Sequence, residues 1–145
     1  DNRFYSHSGI DAKGLGRVMV KTILFGKKTA GGGSTISQQL AKNLFPRDTS
    51  GRKNALVRTT KLVLSKFKEW VTAVKLERNY TKEEILAMYL NVVEFGSNSY
   101  GIKSAAKTFF NTTPDSLHVE QAALLVGLVN APTRYSPLRN PDKSL

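Results

Sequence analysis

Three polar residues at four-residue spacing follow a run of glycines, and together they could bind an anion. The glycines occupy positions 31–33, and Ser34, Gln38 and Lys42 follow at i, i+4 and i+8. On a helix this spacing places a hydroxyl, an amide and an ammonium on one face, where all three can donate to phosphate oxygens. A glycine-rich loop before a helix N-terminus also presents free N–H groups and the positive end of the helix dipole. The pattern predicts a phosphate site; the alternative is a glycine loop before an ordinary capped surface helix. It is not a Walker loop, because no Gly-Lys-Ser/Thr follows the glycines.

A second set of residues could carry a reacting or positioning carboxylate. Glu69 lies within a long segment without Gly or Pro, with Lys66 three residues before it and Lys68 adjacent. A carboxylate among ammonium groups could orient or polarise a reacting hydroxyl. The alternative is an exposed Lys–Glu pair on a solvated helix face, which contributes little energy.

The first eleven residues combine acidic, aromatic and histidine side chains with a glycine. Asp1 and His7 are the groups there that could do chemistry, and His7 invites a catalytic or metal-binding interpretation. The only other histidine is His118, so we predict no metal site and favour a histidine that braces the loop through hydrogen bonds.

Helical patterns dominate the elements that must position these groups. We predict helices over 13–25, from about 35 to Asn43, 54–78, 82–91, around 102–110 and 119–129. Capping boxes begin two of them, Thr35 with Gln38 and Thr81 with Glu84. Asn91 could be a C-cap or a site residue. Strand alternation is hard to find, so we predict an all-α fold.

Length and composition limit the classes of protein to which this chain can belong. The 145 residues fit one domain, and 22 Lys+Arg against 11 Asp+Glu give a net charge of +11. The absence of cysteine excludes a disulfide framework, a thiolate nucleophile and a cysteine-ligated zinc site. No stretch approaches the roughly 18 apolar residues that a spanning helix needs. The chain is therefore expected to be a soluble or surface-bound basic domain with an anionic partner.

The basic segment 13–28 has two interpretations. Apolar residues recur at helical spacing among five cations: the apolar residues are Leu15, Val18, Met19 and Ile23, and the cations are Lys13, Arg17, Lys21, Lys27 and Lys28. The helix could lie in the interfacial layer of an anionic membrane. Alternatively, its apolar stripe packs on the protein core.

The order of these motifs closely resembles the peptidoglycan glycosyltransferases of family 51. The matching strings are Gly-Gly-Ser-Thr-Ile-Ser-Gln-Gln-Leu-Ala-Lys-Asn, Lys-x-x-Glu, Tyr-Leu-Asn followed by Phe-Gly and Tyr-Gly-Ile-x-x-Ala-Ala, and Glu-x-Ala-Leu-Leu followed by Ala-Pro-x-x-Tyr-x-Pro. These enzymes are the N-terminal catalytic domains of class A penicillin-binding proteins, or act alone. The resemblance covers nearly all of 1–145 and implies a lysozyme-like α fold with a small membrane-facing jaw at about 11–30.

The resemblance also implies an activity and its partners. Family members polymerise lipid II into glycan strands, with loss of undecaprenyl diphosphate and inversion at the anomeric carbon, and moenomycin-type phosphoglycolipids inhibit them. We therefore expect lipid II, the growing glycan strand and an anionic membrane surface as partners, and no nucleic acid. The expected location is the outer face of a bacterial cell membrane, with an anchoring helix outside this chain, and a transpeptidase domain could follow.

Site residues are carried over position by position. Residues 1–9 resemble the family's first motif, in which a Glu stands directly before the Asp that Asp1 matches. That Glu is the family's general base, so the chain, which looks truncated at both ends, is expected to bind substrate without polymerising it. Glu69 matches the second family glutamate, which assists leaving-group departure or positions the diphosphate. The expected substrate-binding residues are Asp1, Ser34, Gln38, Lys42, Lys66, Lys68 and Asn91.

Two departures from the family pattern stand out. Ser65 occupies a position where an Arg is usual, and Arg47, Arg52 or Arg58 could substitute for it. Asn111 stands where the family often has Gly after an aromatic pair.

Other functions remain as alternatives. A cluster of cations suits an ionised leaving group, which needs no proton, and this favours a transferase over a lysozyme-like lytic enzyme. A basic nucleic-acid-binding helical module would explain the net charge, but it would not explain why Ser34, Gln38 and Lys42 share one helix face. No resident cofactor is expected, and a divalent cation such as Mg²⁺ or Mn²⁺ at the diphosphate stays open.

Overall fold

The fold was analysed in a computed structural model of the chain, which describes residues 1, 3–17, 33–46 and 55–137, without the side chains of 55–59. Five α-helices are bounded within these residues: α1 (Ile36–Leu44), α2 (Ala55–Asn79), α3 (Lys82–Val92), α4 (Ile102–Phe110) and α5 (Val119–Asn130). Residues 12–17 are also helical, and short 3-10 turns occupy Phe4–Ser6 and Pro114–Ser116. No strand forms within the described ranges, where an isolated bridge joins Glu94 to Tyr100. The predicted all-α fold is confirmed.

The chain divides into two compact units, Asp1–Leu86 and Ala87–Leu145, with the boundary inside α3. In the first unit α1 packs against α2. Its buried apolar residues come from residues 1–9, called the first loop below, and from α1, α2 and α3: they are Phe4, Leu40, Ala41, Ala73 and Ile85. This packing brings α1 and Ser34 next to the part of α2 that carries Glu69.

Both predicted capping boxes mark helix starts. Thr81 and Glu84 bond reciprocally, with Thr81 N–H donating to the Glu84 carboxylate at 2.8 Å and Glu84 N–H donating to Thr81 Oγ1 at 3.2 Å. Thr35 caps α1 by accepting from the Gln38 N–H, while the Gln38 side-chain amide donates to the Gly9 carbonyl, so the structure shows the Thr35 half of that predicted box. The predicted helix bounds agree with the structure to within one or two residues from α1 to α5.

The second unit holds α4, α5 and a tight loop after α3. Its buried apolar side chains are Tyr89, Val93, Phe95, Ala105, Ala106, Leu125 and Leu128. Asn111 ends α4 in the left-handed region, at φ 52° and ψ 36°. Asparagine is one of the few residues that tolerate this conformation, so it serves at a helix end where glycine is otherwise preferred.

The predicted basic helix is described only in part. Residues 12–17 are helical, as expected, while Val18, Met19 and Ile23 of its apolar stripe lie outside the described residues, as does most of the predicted jaw. Neither interpretation of this segment is tested, and both stay predictions. None of the helices in the described ranges has the length and apolar character needed to cross a bilayer.

Candidate active site

The first loop is fixed to the start of α1 through Asp1. The Asp1 carboxylate accepts from the Ile36 backbone N–H at 3.1 Å and lies 3.1 Å from His7 Nε2. Only 7% of either side chain is exposed. A carboxylate is favourable at a helix N-terminus, because it meets unpaired N–H groups and the positive end of the dipole.

His7 braces this loop, as the second of its two interpretations proposed. Burial and, after it, the positive charge of Lys82 lower the pKa of His7 below its ordinary value of 6.5. At neutral pH the ring is therefore neutral, and Nε2 must carry the hydrogen that it shares with the Asp1 carboxylate. Nδ1 is buried and has no hydrogen-bond partner in the described structure.

Gly9 anchors the other end of the loop. Its carbonyl accepts from Thr35 Oγ1 at 2.7 Å and from Gln38 Nε2 at 3.2 Å. Its φ is +91°, and a Cβ there would lie 2.9 Å from the backbone carbonyl of Ala73 in α2. Only glycine fits this contact between the loop and the helix.

Lys66 joins the two sequence motifs that were predicted to carry chemistry. Its Nζ donates to Ser34 Oγ and to Glu69 Oε2, both at 2.8 Å. The Glu69 side chain is 6% exposed, against 33% for Lys66. The alternative of an exposed Lys–Glu pair on a solvated face is therefore wrong for Glu69. These three residues are called the Ser34–Lys66–Glu69 cluster below.

Glu69 also lines a groove of about 620 Å³ between the C-terminal end of α1 and the middle of α2. Lys68 lies on the same wall, and Ser65 lines the groove as well. The remaining walls are largely apolar, formed by Ala41, Phe45, Pro46, Phe67, Val71 and Thr72. Of the arginines that could replace the family residue at Ser65, Arg47 and Arg52 lie outside the described residues, and the Arg58 side chain is not described. The groove offers an apolar channel with a paired carboxylate and an ammonium on its wall.

The other predicted site residues differ in their exposure. Gln38 is 3% exposed and directs its amide to Gly9. Lys42 is exposed in the last turn of α1. Asn91 is exposed in the last turn of α3, within the second unit, and is not a C-cap because the helix runs to Val92. The substrate contacts predicted for these residues and for Asp1 stay predictions.

Sequence reasoning missed a buried set of polar residues beside the first loop. Glu77 accepts a hydrogen bond from Ser37 Oγ and pairs with Lys82 Nζ at 2.7 Å. The side chains of Glu77 and Lys82 are 5% and 18% exposed. Their spacing of five residues across a helix break gives no periodic signal, so no sequence pattern could have identified them.

The comparisons with known proteins agree with these motifs. The family model described as Transglycosylase matches residues 1–145. The chain is 44% identical over 144 residues to penicillin-binding protein 1F of Bacillus subtilis, and 44% identical over 145 residues to penicillin-binding protein 1A/1B of the same organism. It is 35% identical over 144 residues to penicillin-binding protein 1A of Neisseria flavescens. Each match covers 99% of this chain but only 15% to 18% of the relative, so the chain spans less than a fifth of their length. Over its whole length, the chain belongs to the transglycosylase family.

Proposed function

We propose that this chain is the catalytic domain of a peptidoglycan glycosyltransferase that polymerises lipid II into glycan strands. The observation that carries the proposal is the Ser34–Lys66–Glu69 cluster, whose Glu69 lies on the wall of an apolar groove, in a chain that matches the transglycosylase family from end to end. Lipid II joins a disaccharide to a polyprenyl chain through a diphosphate. Its recognition needs cations and hydrogen-bond donors beside an apolar channel, and the groove offers both.

The proposed reaction transfers the growing chain to an acceptor 4-hydroxyl. The acceptor oxygen bonds to the anomeric carbon from the face opposite the leaving group, and the bond from that carbon to the diphosphate oxygen breaks. Undecaprenyl diphosphate leaves with the electron pair, and the configuration inverts. A carboxylate base takes the proton from the acceptor hydroxyl.

Lys66 is suited to stabilising the charge that develops on the diphosphate. An ammonium has three N–H donors, and two of those on Lys66 point at Ser34 and Glu69. The third can donate to a phosphate oxygen without breaking either contact. Such preorganised donors stabilise a transition state because they need no rearrangement as charge develops. We propose that Glu69 holds Lys66 in this position and assists departure of the diphosphate.

The other predicted residues divide into direct and indirect roles. Lys68 on the groove wall and Lys42 at the exposed end of α1 are proposed to contact the diphosphate directly. Gln38 is buried and bonded to Gly9, which favours an indirect role in holding the first loop. Asp1 is already bonded to the start of α1, so its proposed role is to fix the residue that precedes it.

The general base is proposed to be the glutamate that the family motif places directly before Asp1. Because Asp1 is bonded to the N-terminus of α1, a residue attached to it would start from a fixed point beside that helix. On this proposal, glycan synthesis requires that glutamate together with the segment 1–145, and binding of lipid-linked diphosphates requires the segment alone.

A divalent cation at the diphosphate is a further proposal. The described residues contain no group of three or more His, Asp or Glu side chains that could hold a metal ion. Mg²⁺ commonly binds through one or two carboxylates together with substrate phosphates. Glu69 is the carboxylate on the groove wall, so a cation there would depend mainly on the diphosphate for its ligands.

We also propose where the whole protein is located and which further parts it has. Its substrate carries a long lipid, so we place the domain on the outer face of a bacterial cell membrane, with an anchoring helix elsewhere in the protein. The basic segment 13–28 is proposed as the surface that meets anionic headgroups. The relatives are named for binding penicillin, and their greater length leads us to propose that a transpeptidase domain follows.

The alternatives are less well supported. A lysozyme-like hydrolase needs a carboxylic acid that donates a proton to the leaving oxygen, whereas Glu69 is paired with an ammonium. A nucleic-acid-binding module would leave the buried Glu69 and the apolar groove without a function.

Binding by the segment 1–145 is the first test. Calorimetry in detergent should detect binding of a moenomycin-type phosphoglycolipid, with little response to duplex DNA. No binding by a folded sample would contradict the proposal, and release of sugar from purified cell wall without lipid II would favour the hydrolase.

Turnover is tested in a longer protein that includes the glutamate before Asp1. Glu69→Gln should abolish most glycan synthesis from lipid II, because the substitution removes the charge that holds Lys66. Glu120→Gln is the matched control, since Glu120 is exposed at the start of α5. Equal turnover by the two variants would refute the role of Glu69.

A further inference from the structure

A largely buried ion pair, Glu77 with Lys82, contacts the first loop. Lys82 Nζ donates to the backbone carbonyl of His7 and pairs with the Glu77 carboxylate at 2.7 Å. The same ammonium lies 4.4 Å from the centroid of the Phe4 ring. One side chain thus contacts the loop at two positions, by a hydrogen bond and by a cation–π contact.

Glu77 connects this contact to α1. Its carboxylate accepts from Ser37 Oγ, which is fully buried in the first turn of α1. The chain of contacts therefore runs from α1 through Ser37, Glu77 and Lys82 to the loop. Glu77 lies near the end of α2 and Lys82 opens α3, so each of three helices contributes one side chain, and Lys82 makes the contact with the loop. We call these three residues the Ser37–Glu77–Lys82 network.

Local structure alone does not account for this arrangement. Burying a charged pair costs desolvation energy, which only good geometry and additional hydrogen bonds offset. Here the pair contacts the first loop, which carries Asp1, and α1, which follows Ser34 directly along the chain. An apolar pair would cover the same surface without fixing the direction of the loop.

We propose that Glu77 and Lys82 are positioning residues for the carboxylate base at the start of the first loop. The inference rests on the proposed function, because it assigns the base to the residue before Asp1. The network holds His7, His7 contacts Asp1, and Asp1 meets the N-terminus of α1. Loss of the network releases the loop from one side and misplaces the base, while the Ser34–Lys66–Glu69 cluster keeps its contacts.

The test is a separation of kcat from substrate binding in the longer protein that carries the glutamate before Asp1. Lys82→Met keeps an unbranched side chain over Phe4 but removes the charge. We expect kcat to fall by about 10- to 100-fold, since small displacements of a reacting group have effects of that size. KM for lipid II and Kd for a moenomycin-type phosphoglycolipid should stay within about twofold, because the diphosphate cluster is untouched. Lys82→Arg should recover much of the kcat, and Lys75→Met, at an exposed position in α2, should match the parent protein.

One further measurement and one substitute variant keep the outcomes distinct. Amide hydrogen exchange over residues 3–9 in the segment 1–145 should quicken by about tenfold in Lys82→Met, with α5 unchanged as internal reference. If Lys82→Met does not fold, Glu77→Gln replaces it, with the same expected direction. An unchanged kcat, or parallel losses in kcat, inhibitor affinity and protection of α5, would overturn the inference. If the parent protein itself makes no glycan, the proposed function fails, and the exchange result still decides whether the network holds the loop.

Discussion

Replacing Gly9 with alanine should detach the first loop from the helices that hold it. Gly9 has a φ of +91°, and an added Cβ would lie 2.9 Å from the backbone C and O atoms of Ala73. Left-handed backbone costs an alanine about 1 kcal/mol, and relieving such a contact costs about 1 to 3 kcal/mol. Ala73 lies in mid-helix, so the loop has to move instead. We expect the free energy of unfolding to fall by about 2 to 4 kcal/mol.

The loss should be visible in both stability and function. For a chain of this length it lowers Tm by roughly 5 to 15 °C. The Gly9 carbonyl also accepts from Thr35 and Gln38, so a displaced loop weakens the bonds that tie it to α1. In the longer protein with the glutamate before Asp1, glycan synthesis should therefore fall further than the remaining folded fraction explains.

Gly16→Ala is the matched control for this prediction. Gly16 lies in the helical segment 12–17, and nothing stands within 4 Å of the place its Cβ would occupy. Alanine there should raise stability by up to about 1 kcal/mol, because glycine is the poorer helix former. Thermal and urea unfolding followed by circular dichroism measure both variants. Equal midpoints for Gly9→Ala and Gly16→Ala would refute the reasoning.

Two other predictions concern charge. Lys66→Met should weaken binding of a moenomycin-type phosphoglycolipid by about 10- to 100-fold, because it removes one charge-assisted hydrogen bond. Lys107→Met, at an exposed position of α4, is the control and should leave the affinity unchanged. Equal affinities of the two variants in calorimetry would contradict the role of Lys66. Folding lowers the pKa of His7 below its ordinary value of 6.5. As the pH drops from 7 towards 5, the unfolded chain therefore binds a proton at His7 more readily than the folded chain does, and the free energy of unfolding falls. His7→Gln should lose that part of the pH dependence, and Tm curves that run parallel to those of the parent protein would contradict it.

The sequence allowed good prediction where partners lie close together along the chain. The Thr81–Glu84 capping box could be predicted because its donor and acceptor are three residues apart in the sequence. The helix that follows it begins where it was expected. Thr35 marked the start of α1 for the same reason.

Contacts between distant segments could not be predicted in this way. Whether Glu69 is solvated or buried depends on the packing of α1 on α2, and Lys66 meets Ser34 across 32 positions. Ser37 and Glu77 are 40 positions apart. Hydrophobic periodicity predicts which face of a helix a residue lies on, but it does not predict which other segment packs against that face. The resemblance to a known family supplied the roles of these residues, and the structure supplied their neighbours.

The start of α1 contacts both the Ser34–Lys66–Glu69 cluster and the first loop, which is proposed to carry the base. Ser34, which precedes the helix, contacts Lys66 and through it Glu69, while the Ile36 N–H contacts Asp1. Two backbone positions thus separate the point that holds the leaving-group cluster from the point that holds the base-bearing loop. Because Ser34 and Ile36 are two residues apart, the backbone limits the distance between these two attachment points to about 7 Å. A substitution that moves one group without the other has to break either the Ser34–Lys66 bond or the Asp1–Ile36 bond.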